Sequence, residues 1–210
     1  MQYLFLVILV GALGAGVTVL AWMGVAQRCR RNLLARTAHE MGMKFSPSDP
    51  FDLTGRYGDF VVSSAGHSPR AENVIHGRYG GWSVRAYDYR YETGHGPRRV
   101  GRRYSILVAE TGLDLPAALL WHVDDTEHLP LAAQRHVGQA GNWLLVAGAD
   151  GAPALAAAFA AFGDRPVNIQ VRRGSVMLCS AERFKPRDLR ARLDEAVSAL
   201  AALRERADSA

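Results

Sequence analysis

The stretch WSVRAYDYRYETGHGPRRVGRRYSI, residues 82–106, decides how the chain folds. It packs four tyrosines and six arginines around a glycine-rich turn. Side chains alternate across a strand. One face therefore carries Trp82, Val84, Ala86, Asp88, Arg90 and Glu92, and the other carries Ser83, Arg85, Tyr87, Tyr89 and Tyr91. The expected arrangement buries Trp82, Val84 and Ala86 and leaves Asp88 and Arg90 near the sheet margin. The tyrosines are then expected as a semi-exposed ladder with their hydroxyls in water. Tyrosine and arginine are enriched in binding hot spots. Arg85, Tyr87, Tyr89, Arg90 and Tyr91 thus form a candidate binding patch.

Moving outward, strand and turn signals alternate. FVVSS at 60–64 reads as a short strand. Residues 73–92 read as two strands about Gly80-Gly81, a tight-turn dipeptide. RRYSILVAE at 102–110 and AALLWHV at 117–123 complete an antiparallel meander. Residues 124–141 show no clear period. NWLLVAG, 142–148, reads as a strand. Residues 150–162 read as a helix capped by Asp150, with Pro153 in the first turn. Residues 166–180 read as a hairpin turning near Arg173-Gly174. Leu189, Leu193, Ala196, Val197, Leu200 and Leu203 give residues 185–206 helical spacing. Strands with helices at their margins and no βαβ alternation indicate an α+β domain of antiparallel strands flanked by helices. The expected parts are an anchor at 1–26, a juxtamembrane helix at 27–45, a strand-rich lobe at 46–130 and a mixed lobe at 131–210. Residues 46–59, with two prolines, two glycines and three aspartates, read as a linker.

Tyr3–Ala26 is 24 residues without a charge. At ~1.5 Å per residue a helix of that length spans a ~30 Å hydrocarbon core. A cleaved signal peptide would carry a charged leading region and a shorter apolar stretch. No Lys or Arg precedes the span, and Arg28, Arg30, Arg31 and Arg36 follow within ten residues. This asymmetry places the C-terminal domain in the cytoplasm, on the inner side of the cell membrane. Residues 27–104 hold 14 Lys/Arg and 7 Asp/Glu, net +7, whereas residues 105–210 hold 11 and 13, net −2. The basic excess lies beside the membrane, where anionic headgroups attract it. Arg28, Arg30, Arg31 and Arg36 are the expected membrane-surface residues, and the lipid bilayer is the first expected partner.

Catalytic signals are weak. Cys29 and Cys179 make no C-x-x-C spacing and read as two unpaired thiols. His67-Ser68 lacks a G-x-S-x-G elbow. Asp124, Asp125, Glu127 and His128 have no second metal-ligand motif and read as a solvated acidic loop. No cofactor is implied. The leading expectation is a non-enzymatic module that binds a protein partner or the membrane surface. The alternative is an enzyme or small-ligand receptor using residues 85–91. A membrane-tethered nucleic-acid binder comes third, because Arg98, Arg99, Arg102 and Arg103 lie beside stacking aromatics but no recognised motif accompanies them.

MGMKFSPSDPFDL, AGHSPRAENVIHG, VRAYDYRYETGHG and NWLLVAGADGAPALAAAFAAF occur in an order that resembles a group of uncharacterised bacterial single-pass membrane-anchored proteins of planctomycete type. More loosely, the chain is similar to a bacterial domain-of-unknown-function family. The resemblance covers most of residues 30–205. It implies the anchor and the α+β domain, and it carries over no catalytic residue.

Overall fold

The computed structural model describes residues 2–128, 136–146 and 152–208. The expected cap Asp150 lies outside them. Helix α1, Gln2–Glu40, runs without a break from the apolar segment into the domain. Residues 7–26 are exposed, and Leu34 and Ala38 near its end enter the core. Strand β1, Lys44–Ser48, and the one-turn helix α2, Leu53–Arg56, follow. Then come β2, His67–Tyr79, β3, Trp82–Thr93, β4, Val100–Glu110, and β5, Ala118–His122. Strands β6, His136–Ala140, and β7, Trp143–Val146, precede helix α3, Ala152–Ala158. Strands β8, Val167–Arg172, and β9, Ser175–Ser180, lead to helix α4, Leu189–Asp208.

The nine strands among the described residues join one antiparallel sheet in the order β1-β2-β3-β4-β9-β8-β5-β7-β6. The architecture is α+β. The first hairpins form where their turns demand it. Gly80 and Gly81 sit at φ +56° and +88°, as a tight hairpin turn requires. A Cβ on Gly80 would also meet Val197 of α4 at 2.4 Å. Arg173 and Gly174, both at positive φ, turn β8 into β9.

Three expectations change. The strand at 117–123 exists as β5, but it does not continue the meander. The β8–β9 hairpin inserts between β4 and β5, so one sheet runs through both expected lobes. FVVSS is not a strand: residues 60–66 are turns and bends, although Phe60 and Val62 are buried. The 46–59 segment is more than a linker. It supplies most of β1 and then, with residues 60–66, folds across one face of the sheet.

The two faces are covered differently. Trp82, Val84, Ala86, Leu107, Leu120 and Ile169 pack beneath α1, α3 and α4 together with Leu34, Phe159, Leu193 and Leu200. On the opposite face Tyr87, Tyr89, Tyr91, Tyr104, Ile106 and Trp121 pack beneath Leu53, Tyr57, Phe60 and Val62. The cover there is an irregular segment pinned by its own polar groups. Asp49 accepts from the Phe51 and Leu53 amides, and Asp52 from the Gly55 amide.

Candidate membrane-facing site

The tyrosines do not meet water. Tyr87, Tyr89 and Tyr91 are 3%, 2% and 4% exposed. The Tyr89 hydroxyl donates to the Ser63 carbonyl at 3.1 Å, and Tyr91 stacks on Tyr104 with ring centroids 6.1 Å apart. Burial pushes the Tyr87, Tyr89 and Tyr104 phenols well above their ordinary value, so they stay protonated at neutral pH. The expected ladder is a core layer because residues 51–62 bring Phe51, Leu53, Tyr57, Phe60 and Val62 over it. Arg85 lies on this same face at its rim. Its guanidinium meets Glu110 at 2.7 Å, donates to the Tyr57 hydroxyl at 2.9 Å and sits 5.2 Å from the Phe51 ring centre. Burial pushes the Glu110 carboxyl upward, but hydrogen bonds and charges from Arg85 and Arg56 outweigh it and hold it below its ordinary value. Arg85 therefore fastens the cover.

Arg90 belongs to the other face, so the five-residue patch does not come together. There, at the far end of β3, Asp88 organises a polar junction. Arg30 of α1 grips it with two parallel bonds, Nη1 to Oδ2 at 2.6 Å and Nη2 to Oδ1 at 2.9 Å. Asn73 donates from Nδ2 to Asp88 Oδ2 at 2.7 Å and accepts from Arg31 Nε at 3.1 Å. Arg90 pairs with Glu72 at 2.8 Å. Asn73 is reached because β2 is irregular between Glu72 and Ile75 and Asn73 sits at φ +55°. Such a bulge re-aims a side chain, and asparagine tolerates the left-handed region better than most residues. Nothing in the local pattern around Asn73 announces this role; only its pairing partners reveal it.

Two of the four expected membrane-surface arginines are thus spent on the domain. Arg30 is largely buried, and Arg31 engages Asn73 and approaches Glu72 at 3.9 Å. Arg28 and Arg36 are exposed, Arg36 lying 3.8 Å from Glu40 one turn on. The acidic loop also divides. Asp124 is exposed, whereas Asp125 is buried, accepting from Asn168 Nδ2 at 2.5 Å while its carbonyl accepts from Trp121 Nε1. His67 bonds the Gly94 carbonyl and stacks on His95, which gives it a structural partner rather than a nucleophile.

A groove of about 540 Å³ opens between the departing α1 and this end of the sheet. Trp22, Met23, Gly24 and Ala26 form its apolar wall. Arg30, Arg90, Arg103 and Arg183 face Glu72 and Asp88 on its polar wall. Four cations against two anions leave a net +2. Tyr89 also borders it, although the Tyr89 hydroxyl is committed to the opposite face.

These features define a class: a long helix, apolar enough over an 18-residue window to cross a membrane, fused to an open antiparallel sheet backed by helices. No protein-family model and no curated protein matches the chain. Among solved structures it is similar to the crystal structure of the mycobacterial trehalose monomycolate transport factor A, TtfA. The TM-score is 0.59 at 13% identity, over 85% of this chain and 94% of that one. That likeness is one of fold.

Proposed function

We propose that the chain is a single-pass protein of the inner membrane whose cytoplasmic α+β domain is a non-enzymatic binding module held in one orientation at the bilayer surface. The observation that carries this reading is the unbroken α1. Its outer part is apolar and exposed, and its inner part is fixed to the sheet by Arg30–Asp88, Arg31–Asn73 and the burial of Leu34 and Ala38. A domain clamped to its own anchor cannot turn freely, so the same sheet end always faces the lipid. The arginine-rich flank of the span supports the cytoplasmic side. The fold shared with a transport factor is compatible with such a module, and the resemblance to membrane-anchored bacterial proteins supports the anchor.

Topology reporters test the reading. A reporter active only in the cytoplasm and fused after Ala210 should work, and the chain should resist alkaline carbonate extraction. Activity of a reporter that works only outside the cytoplasm would overturn it. A second reading is that the module docks a protein partner at this same end of the sheet. Crosslinked co-purification of the intact chain from native membranes would identify such a partner.

A further inference from the structure

Two guanidiniums in the groove stand out. Arg30 and Arg90 are answered by Asp88 and Glu72. Arg103 and Arg183 have no hydrogen-bond or ion-pair partner among the described residues. Partial burial pulls Arg183 below the usual arginine value, and the nearby Arg30 and Arg103 charges add to this against the pull of Asp88 and Glu72. Crowded guanidiniums that lack an ion-pair partner of their own are an invitation to an anion. The lower wall shows where that anion would come from. Tyr3–Ala26 extends for about 36 Å as a helix, roughly 6 Å more than the hydrocarbon core needs. With its leading end flush with one boundary, Met23–Ala26 lies at headgroup depth on the domain side. Trp22, 71% exposed in the protein alone, then sits at the interface where tryptophan rings prefer to be. The groove therefore has an apolar wall at the level of the glycerol and upper chains and a cationic wall just above it. A second arginine-rich surface of β2–β4, with Arg70, Arg99 and Arg102, joins it through Arg90 and Arg103.

Building on the membrane reading, we propose that this groove seats the headgroup of an anionic phospholipid, with Arg103 and Arg183 on the phosphate and Trp22 and Met23 against the glycerol and chains. Arginine suits the role because its planar fork meets two phosphate oxygens at once. Arg30 and Arg90, already neutralised, shape the wall and add little further attraction.

The test uses the intact chain in a neutral detergent, titrated with phosphatidylglycerol, phosphatidylcholine, glycerol 3-phosphate or inorganic phosphate. Thermal unfolding and native mass spectrometry supply the readouts. Phosphatidylglycerol should bind saturably and raise the unfolding temperature, with phosphatidylcholine at least about tenfold weaker. The double variant Arg103→Gln/Arg183→Gln should lose about tenfold or more of the phosphatidylglycerol affinity, whereas Arg78→Gln at the opposite sheet end should lose none. Should the double variant fail to fold, the wild-type chain still decides. Trp82, Trp121 and Trp143 are buried, so chain-brominated phosphatidylglycerol should quench Trp22 at a lower mole fraction than brominated phosphatidylcholine. Equal behaviour of the two lipids, or an unchanged double variant, overturns the proposal. Saturation by glycerol 3-phosphate or inorganic phosphate at matching concentration overturns the lipid seat in favour of a soluble-anion site. A chain that withstands carbonate extraction yet shows no lipid preference sinks the groove alone, whereas a chain released by carbonate sinks the membrane reading.

Discussion

The two faces of β3 share one strand and end with opposite fates. Tyr87, Tyr89 and Tyr91 look the more reactive side, but they are sealed under residues 49–66 and act as core. Asp88 and Arg90 look like a sheet margin, but they stand at the junction where α1 meets the domain. The difference comes from what covers each face. A run of apolar side chains at Leu53, Tyr57, Phe60 and Val62 can bury aromatic rings, since each hydroxyl needs only one local acceptor, as Tyr89 finds at Ser63. A row of charges admits only other charges or water. So the helices that cover the centre of that face give way at its end to Arg30, Asn73 and an open groove.

Truncating the sealed side should have the largest effect. Tyr89→Ala removes a fully buried ring from beneath the cover and strands the Ser63 carbonyl. It should cost about 3–5 kcal/mol by analogy with other buried aromatic deletions, read as a fall in the denaturant midpoint at unchanged slope. A loss below about 1 kcal/mol would mean that the cover is not closed in solution, and that the tyrosines are the exposed ladder that alternation suggests.

The junction comes next. Asp88→Asn leaves Arg30 facing an uncharged amide in a largely enclosed site. It should cost about 2–3 kcal/mol, the usual weight of hydrogen bonds to a charged group. Double-mutant cycles with Arg30→Gln separate the pair from its surroundings. A coupling energy near zero would free the domain from α1 and remove the fixed orientation on which the functional reading depends.

Much of this was legible in the sequence, and the rest was not for definite reasons. The long apolar helix, the Gly80-Gly81 and Arg173-Gly174 turns and the leucine face of α4 depend on neighbours a few residues away. So does the alternation of β3, including which residues share a side. The insertion of β8–β9 beside β4 pairs Ile106 with Cys179, and no local period encodes such a partner. The cover failed to announce itself because FVVSS has the composition of a strand, while its Phe and Val pack as isolated plugs. Arg30 and Arg31 carry the pattern of lipid-facing residues, as arginines flanking an apolar span usually do. That two of them turn inward depends on Asp88, 58 residues later, and on a bulge at Asn73.

Acid should loosen the tyrosine side through its rim. The folded Glu110 carboxyl lies below its unfolded value, so its contribution is complete above the ordinary carboxylate range and is lost as pH falls through the folded value. Burial, with help from Lys44 and Arg85, likewise lowers His76, so the unfolded chain takes up a proton first as pH drops below about 6.5. Within the range from about 4 to 7, His76 gives the upper part of the rise in stability with pH, and Glu110 gives only the acid end, near and below about 4.5. Glu110→Gln should cost about 1 kcal/mol at neutral pH, as a partly exposed ion pair does. It should also flatten the slope on the acid side of that range. An unaltered slope would assign the acid sensitivity to other carboxylates.

The smallest effect is the most diagnostic of the open side. Arg103 and Arg183 have no hydrogen-bond or ion-pair partner among the described residues, so replacing either with Gln should move stability by no more than about 0.5 kcal/mol, as for other surface sites. Arg183→Gln should even be slightly favourable, because partial burial disfavours its charge and the nearby Arg30 and Arg103 add to this. Chemical denaturation of the two single variants beside Tyr89→Ala then places the two faces on one scale. A side built for packing pays in stability when cut. A side held open by unpaired charge loses nothing until a ligand is present, and an arginine that proved as costly to remove as a tyrosine would make the groove a structural joint instead of a site.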